Sequence, residues 1–360
     1  MILREEGVLK ITLHIEEGDV YYYTRVKSSS ECYLKENMEF VKYFHQAAMD
    51  KSDNETLATY LENGDSLTEN GLQNVDIFSD VEKVSWGSTE PVVVSTPHWE
   101  IKEINKAYTS ILLTYRVRLT ASSSSELAEY SVREFFKVGT WNDKQYLSDY
   151  ERSMEQYLDV LGKIVDDKGI NLGIVPDNLE YKVDPEGKWV SFVQNDELWN
   201  YDKESGEFAL LFGFANTETG DDRHFYDRHE IHIISLEKNG DTAFSVCGYM
   251  NRGVHEGEVG VAVYRYDAEK RALNDIVFIP TVKGYDIMKD DLGKFVYYSK
   301  HSEKLYVMMA GTLYCVNLEE DTREVLVHGL EKGQYVVSDD SHLIAYQEMG
   351  GKLYESDKIS

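Results

Sequence analysis

The sequence predicts a mainly β fold with an α+β N-terminal part, and three observations carry that prediction. Short alternating or aromatic-rich runs bounded by turn residues recur along the 360 residues. Helical periodicity is confined to the first half, and a turn-strand pattern repeats through the second. The 26 tyrosines against five prolines favour pleated, half-buried surfaces.

Taken in order, Leu9, Ile11, Leu13 and Ile15 alternate with Lys10, Thr12, His14 and Glu16, the period of a strand with one buried face. Glu17-Gly18-Asp19 turns the chain and Val20 to Val26 returns, completing a hairpin. Leu34, Met38, Val41 and Ala48 then share a helical face, with Phe44 beside them. Ser52 and Glu55 have capping-box spacing, predicting a short second helix through Leu57 and Leu61 that Asn63-Gly64 stops. Residues 65–73 are polar and turn-like, a candidate sub-boundary.

Val75 to Phe78, Val81 to Trp86 and Pro91 to Ser95 are expected as short strands, the last near an edge because of Pro91 and Pro97. Ile111, Leu113, Tyr115, Val117 and Leu119 alternate along a longer strand, Ser122 to Ser125 form a loop tip, and Tyr130 to Val138 return. Tyr150, Met154, Tyr157, Leu158 and Leu161 fall at helical spacing, so a helix is expected from Tyr146 to Leu161, closed by Gly162. Lys168 to Pro176 reads as a crossing between domains, giving an α+β domain over 1–175 and a second domain over 176–360.

The second domain repeats. Gly187 leads Lys188-Trp189-Val190-Ser191-Phe192, and Gly293 leads Lys294-Phe295-Val296-Tyr297-Tyr298 behind Asp290 and Asp291. Asn239-Gly240-Asp241 introduces Thr242 to Val246, and Asp339-Asp340-Ser341 introduces His342 to Tyr346. The turn positions 187, 240, 293 and 341 lie 53, 53 and 48 apart, close to the roughly 40 to 50 residues of a four-stranded propeller blade. Following strands also correspond: Leu198 to Asp202, Val261 to Asp267, Leu313 to Asn317, and Leu353-Tyr354. A lone four-stranded sheet cannot cover both its faces, so such copies stack. The expected C-terminal architecture is a partial, incomplete β-propeller of about three and a half blades, fewer than the six or more such repeats usually need for a ring. Asp184, Gly187, Trp189 and Trp199 read as structural members of the first copy.

The acidic turn, Gly-Lys, aromatic strand and Leu-Trp or Leu-Tyr strand resemble the TolB-type β-propeller repeat over about half the chain. The chain as a whole also resembles uncharacterised membrane-anchored extracellular proteins of Clostridia. That likeness implies an extracytoplasmic place at the cell surface of a Gram-positive bacterium, with an anchor outside this segment. The second copy departs from the repeat: it lacks Lys after Gly240 and inserts Gly248 to Gly257.

The 65 acidic residues outnumber 37 basic ones, a balance of −28 that excludes nucleic acid as a partner because like charges repel. Its bland reading is solubility. Cys32, Cys247 and Cys315 match neither a disulfide framework nor a paired metal spacing and read as small buried hydrophobes. No run approaches 18 apolar residues, so no membrane insertion is expected in this segment. Nucleophile elbow, phosphate loop, dinucleotide glycines, Cys-x-x-Cys and calcium loop are all missing, and no cofactor is expected.

Two polar runs stand out. Asp221 to His232 is dense in titratable groups, and Tyr249 to Glu258 is a long polar loop flanked by glycines. Asp227, His229, Asn251, Arg252, His255 and Glu256 are the candidate ligand-binding residues, Arg252 because its fork suits a carboxylate or phosphate. The bland alternative is a turn shaped by Gly253 and Gly257, with Arg252 and Glu256 paired inside it. His229 and His232 are three apart, which on a strand points them to opposite faces, so no metal is expected there. On propellers functional loops cluster at one end, so the two runs are expected to be neighbours. The function these features imply is a non-catalytic binding or sensory module presenting loops to a protein or glycan partner. The alternative is a glycan-active hydrolase centred on residues 221–232.

Overall fold

The computed structural model describes residues 6–15, 18–27, 32–62, 71–120, 127–142, 144–160, 164–214, 223, 226, 228–289, 295–299, 302–318, 320, 322–331, 333–337, 344–347 and 353–355. Among the expectations above, the turn residue Glu17, the Asn63-Gly64 stop, residues 65–70, the Ser122 to Ser125 tip, Leu161-Gly162, the Asp290 to Lys294 turn and the Asp339 to Ser341 turn lie outside them. The chain divides into two compact units, Met1–Val175 and Pro176–Ser360.

In the first unit, β1 (Glu6–Ile15) and β2 (Gly18–Lys27) form an antiparallel hairpin in register from Glu6↔Lys27 to Ile15↔Gly18. It is a two-stranded sheet of its own. Its apolar face is not buried as the alternation led one to expect: Leu9, Ile11 and Leu13 are all exposed. The helix α1 (Leu34–Asp50) follows, and its Phe40, Val41, Phe44, Ala47 and Ala48 form the buried stripe. In α2 (Asn54–Ala58) the cap is Asp53 and not Ser52, since Asp53 Oδ1 accepts from Thr56 N–H at 3.3 Å.

A six-stranded antiparallel sheet carries the rest of this unit: β3 (Asn74–Asp76), β4 (Val92–Val93), β5 (His98–Ile104), β6 (Tyr108–Thr120), β7 (Leu127–Trp141) and β8 (Lys144–Gln156). The order is β3-β8-β7-β6-β4, with β5 also paired to β6. One face packs on α1, where Phe44, Phe136 and Tyr150 meet with ring centroids 5.2 to 5.9 Å apart. Two sequence expectations fail. Val81 to Trp86 is not a strand: Val81–Val84 is a helical turn, α3, capped by Asp80, whose Oδ1 accepts from Lys83 N–H at 2.9 Å. The helix expected from Tyr146 is strand β8, in register with β7 from Trp141↔Lys144 to Tyr130↔Gln156.

The second unit is a series of antiparallel sheets, each built from strands consecutive in the chain. The first holds β9 (Tyr181–Val183), β10 (Trp189–Gln194), β11 (Glu197–Asp202) and β12 (Glu207–Gly213). The second holds β13 (His229–Leu236), β14 (Thr242–Tyr249), β15 (Val259–Asp267) and β16 (Ala272–Thr281). After the turn α4 (Tyr285–Met288), the third holds β17 (Val296–Ser299), β18 (Lys304–Met309), β19 (Thr312–Asn317) and β20 (Thr322–Val327). The fourth holds β21 (Tyr335–Val337), β22 (Ile344–Gln347) and β23 (Leu353–Glu355). Three four-stranded meanders and a three-stranded one make a mainly β, propeller-like arrangement.

The sheets meet through three apolar layers. Leu198, Leu211 and Phe214 pack with Ile231, Phe244 and Val246 between the first and second sheets. Val261, Val263 and Ile279 pack with Leu305, Val307 and Val316 between the second and third. Phe295, Met308 and Leu313 pack with Ile344 between the third and fourth. One correspondence drawn from the sequence shifts. β10, β14 and β22 are second strands of their sheets, but β17, which follows the Gly293 turn, is a first strand. The Leu-Trp and Leu-Tyr strands β11, β15, β19 and β23 all occupy the third position.

Asp184 shows what the repeated acidic turn is for. Its Oδ1 accepts from Lys188 N–H at 2.5 Å and Trp189 N–H at 2.7 Å, and Oδ2 from Glu186 N–H at 2.8 Å. Burial opposes its ionisation, but those backbone donors outweigh it and hold the carboxyl below the usual range. Gly240 plays a steric part, because at φ 87° a Cβ there would meet the Trp189 ring at 2.7 Å.

Candidate functional site

One end of the second sheet collects the polar runs. The register His229↔Gly248, Tyr249↔Val259 and Val259↔Thr281 sets the start of β13, the end of β14, the start of β15 and the end of β16 side by side. Arg223, Tyr226 and Arg228 therefore emerge together with residues 250–258 and 282–286.

Three braces join these segments. Asn251 is buried, and its Nδ2 donates to the carbonyls of Arg223 at 2.5 Å and Tyr226 at 3.1 Å. Arg223 Nη1 meets Glu256 Oε1 at 2.6 Å across the same gap. Arg228 pairs with Asp286 of α4, and Tyr249 N–H donates to the Arg228 carbonyl at 2.8 Å. The Tyr226 and Tyr249 rings meet edge-on at 4.7 Å. Within 250–258, Met250 N–H donates to Glu258 O and Gly257 N–H to Met250 O, closing the loop on itself. The described parts of the two runs are thus neighbours.

The predicted site residues do not converge on one another. Asp227, with Asp221, Asp222, His224 and Phe225, lies outside the described residues. His229 is buried at the start of β13 with its ring against Phe214 at 4.7 Å. Asn251 is a brace, and Arg252 gives its Nε–H to the Phe214 carbonyl at 2.7 Å. Glu256 is held by Arg223, so the Arg252–Glu256 pair imagined for the turn is replaced by Arg223–Glu256. His255 lies flat on Phe278 with centroids 4.1 Å apart, and its Nε2 is 2.8 Å from Asp275 Oδ2 on β16. The described candidates share anchors, His229 and Arg252 at Phe214 and Asn251 and Glu256 at Arg223, while His255 is held by Asp275 and Phe278, an arrangement suited to holding loops in shape. His229 shares the buried face of β13 with Ile231, while His232 sits on the other face, 3.4 Å from Glu230. Among the described residues no three His, Cys, Asp or Glu groups are placed to hold a metal ion.

These braces leave three apolar side chains at this end in solvent: Val254 is 86% exposed, Val282 is 107% exposed relative to a reference chain, and Tyr226 is 42% exposed.

A second cluster, in the first unit, escaped sequence reasoning. His45 Nδ1 of α1 is 2.8 Å from Glu134 Oε2 of β7, and the Tyr115 hydroxyl of β6 donates to Glu134 Oε1 at 3.0 Å. All three are buried. Burial alone would raise the Glu134 carboxyl, but His45, Arg152 and the Tyr115 hydroxyl together hold it below its usual range. Nearby, Arg152 lies over the Trp86 ring at 3.9 Å and donates to the carbonyls of Val84 and Lys83, capping the end of α3. The signal that would have found the pair is Glu134 itself, an acid in the inward register of Val132, Phe136 and Val138. On the sheet's opposite face a cleft of about 600 Å³ is lined by Asn74, Asp76, Lys102, Arg133, Phe135 and Glu151. Its Lys102 is paired with Glu100 at 2.7 Å, and its Asp76 accepts from Phe78 N–H and the Ser79 hydroxyl.

No family model matches the chain, and no curated protein matches it. Among solved structures it is similar to TolB from Acinetobacter baumannii, at 10% identity and a TM-score of 0.30 over 69% of this chain and 59% of that one. It is also similar to an oligogalacturonate lyase in complex with manganese, at 9% identity and 0.32 over 69% and 60%. A third likeness is to the extracellular domain of a putative one-component system from B. thetaiotaomicron, at 8% identity and 0.29 over 74% and 33%. The chain spans about three fifths of the first two. Likenesses this distant say nothing of activity, and the propeller-like description rests on the strand order.

Proposed function

We propose that this chain is a non-catalytic binding module whose second unit presents Tyr226 and the 250–258 and 282–286 segments to a protein or glycan partner outside the cytoplasm. The observation that carries the reading is the bracing of three loops by Asn251, Arg223–Glu256 and Arg228–Asp286, which holds Val254, Val282 and Tyr226 out in solvent. Loops ordered before contact lose little entropy on binding, and exposed apolar side chains at their tips supply area.

The test is binding of the chain to purified bacterial cell wall, intact or stripped of protein with protease, with reducing-end release measured in parallel. The expected result is saturable binding without sugar release, weakened at least tenfold by Val254→Asp with Val282→Asp. Loss of binding on stripping assigns a protein partner and retention a glycan. Equal binding by the double variant, or sugar release abolished by Glu256→Gln, overturns the reading.

A further inference from the structure

The β1–β2 hairpin divides its residues by face. Gly7↔Val26, Leu9↔Thr24, Ile11↔Tyr22, Leu13↔Val20 and Ile15↔Gly18 form one face without a charge. Glu6↔Lys27, Val8↔Arg25, Lys10↔Tyr23, Thr12↔Tyr21 and His14↔Asp19 form the other, which holds all the described charges. The charged face is knit across its two strands, His14 Nδ1 meeting Asp19 Oδ1 at 2.6 Å and Lys10 Nζ sitting 3.5 Å over the Tyr21 ring, and its charges keep it wet although Val8, Tyr21 and Tyr23 are exposed on it. The uncharged face has no cover, with Leu9 47%, Ile11 42%, Leu13 47% and Tyr22 55% exposed. Strands with this strict alternation are built to have one side against another layer, and an isolated two-stranded hairpin is marginal in water.

We propose that the uncharged hairpin face docks on the same face of a second copy of this chain, forming a two-layer sandwich of hairpins. Three observations favour a second copy over another occupant. The face is its own complement, apolar along its whole length, as an isologous contact requires. In a chain of net charge −28 most surfaces repel their copies, but residues 6–27 hold four carboxylates against three cations and are close to neutral. The area also fits a homotypic contact of limited strength. Ten residues at about 3.3 Å by two strands at about 4.8 Å give a footprint of roughly 330 Å² per copy. That is less than half of the roughly 800 Å² per partner in a standard stable interface. The dimer is therefore weak in solution and becomes dominant where chains are concentrated.

The experiment uses the 360-residue chain, whose three native cysteines are buried. Sedimentation velocity from about 1 to 500 µM is run on the wild type, on Ile11→Asp, and on Lys10→Ser, which alters the hairpin on its charged face. In parallel, Thr24→Cys and Arg25→Cys, adjacent residues on opposite faces, are treated with a short bismaleimide. The expected results are concentration-dependent dimers for the wild type and Lys10→Ser, at least tenfold weaker association for Ile11→Asp, and cross-linked dimer from Thr24→Cys only. A wild type that stays monomeric at 500 µM overturns the proposal, as does equal cross-linking from both faces. Monomeric chain that binds neutral phosphatidylcholine vesicles through Ile11 assigns the face to lipid and likewise overturns it.

Discussion

Glu134→Leu removes the acceptor of a buried hydrogen-bonded cluster and leaves His45 on α1 and the Tyr115 hydroxyl on β6 without their partner. Glu134 is 1% exposed and Tyr115 likewise, so water cannot replace the lost contacts. Breaking a buried pair on one side costs about 3–5 kcal/mol, against a typical domain stability of about 5–15 kcal/mol. Taking out both side chains in His45→Leu with Glu134→Leu removes the desolvation cost of the carboxylate together with its contact to His45, so the double variant should be the more stable of the two. The two units need not unfold together, so the probe must be local. Hydrogen exchange of α1 and β7 peptides in increasing urea reads the first unit, and β14 peptides serve as the internal control. The same carboxyl sets an acid limit. Its folded pKa lies below the unfolded value of about 4.3, so its contribution is complete above that value and is lost as pH falls through the lower folded one. Glu134→Gln should flatten this part of the pH profile. A cost below about 1 kcal/mol for Glu134→Leu, or a double variant as unstable as the sum of the singles, would refute the assignment of the pair as a buried support.

Asp184→Ala deprives three backbone N–H groups of their acceptor and should destabilise the second unit by about 2–3 kcal/mol, read from the urea midpoint of β10 peptides. Because the Asp184 carboxyl is also held low, its support is present above about pH 4 and fades as pH drops further, which a midpoint series from pH 3 to 7 would show. Gly240→Ala forces a left-handed backbone on alanine and drives its methyl into the Trp189 ring, so a loss of about 2–4 kcal/mol with a shifted tryptophan emission is expected. The Cys247 thiol is pushed up to about 12 by burial, so iodoacetamide at pH 8 should leave it unmodified in the folded chain and label it in urea, as mass spectrometry would report.

Much of the fold was legible where period and phase agree. The β6 alternation stands in the sequence as it does in the structure, and the α1 stripe keeps Val41, Phe44 and Ala48, while Phe40 and Ala47 are buried in it and Leu34 and Met38 only half-buried. The failure at β8 has a specific cause. Between Lys137↔Asp149 and Val138↔Leu147 the register slips by one residue, so Leu147 and Tyr150 both face inward although three apart. With Met154 next, the bulge imitates helical spacing, while the intervening inward residue is Arg152, a cation that hides the two-residue period. The shift at β17 arises because its acidic turn and aromatic opening resemble those that lead second strands, and strand rank is a property of pairing. The proximity of the two polar runs was legible from loop position. Their partners were not, since Asp275 and Phe278 lie on β16 and Phe214 just past β12, where the sequence says nothing of these loops.

The three apolar layers of the second unit each join consecutive sheets, so most of its contacts are short in sequence. Energetically this makes the unit close to a one-dimensional chain of neighbours. A lesion in the first sheet reaches the fourth only through the two between them, and denaturation can peel sheets from one end without a single concerted step. The same locality makes a sheet the natural quantum of gain or loss over evolutionary time. One can be duplicated or deleted with two interfaces to reconcile, while the loops of the second sheet diversify independently of how many sheets stand beside it.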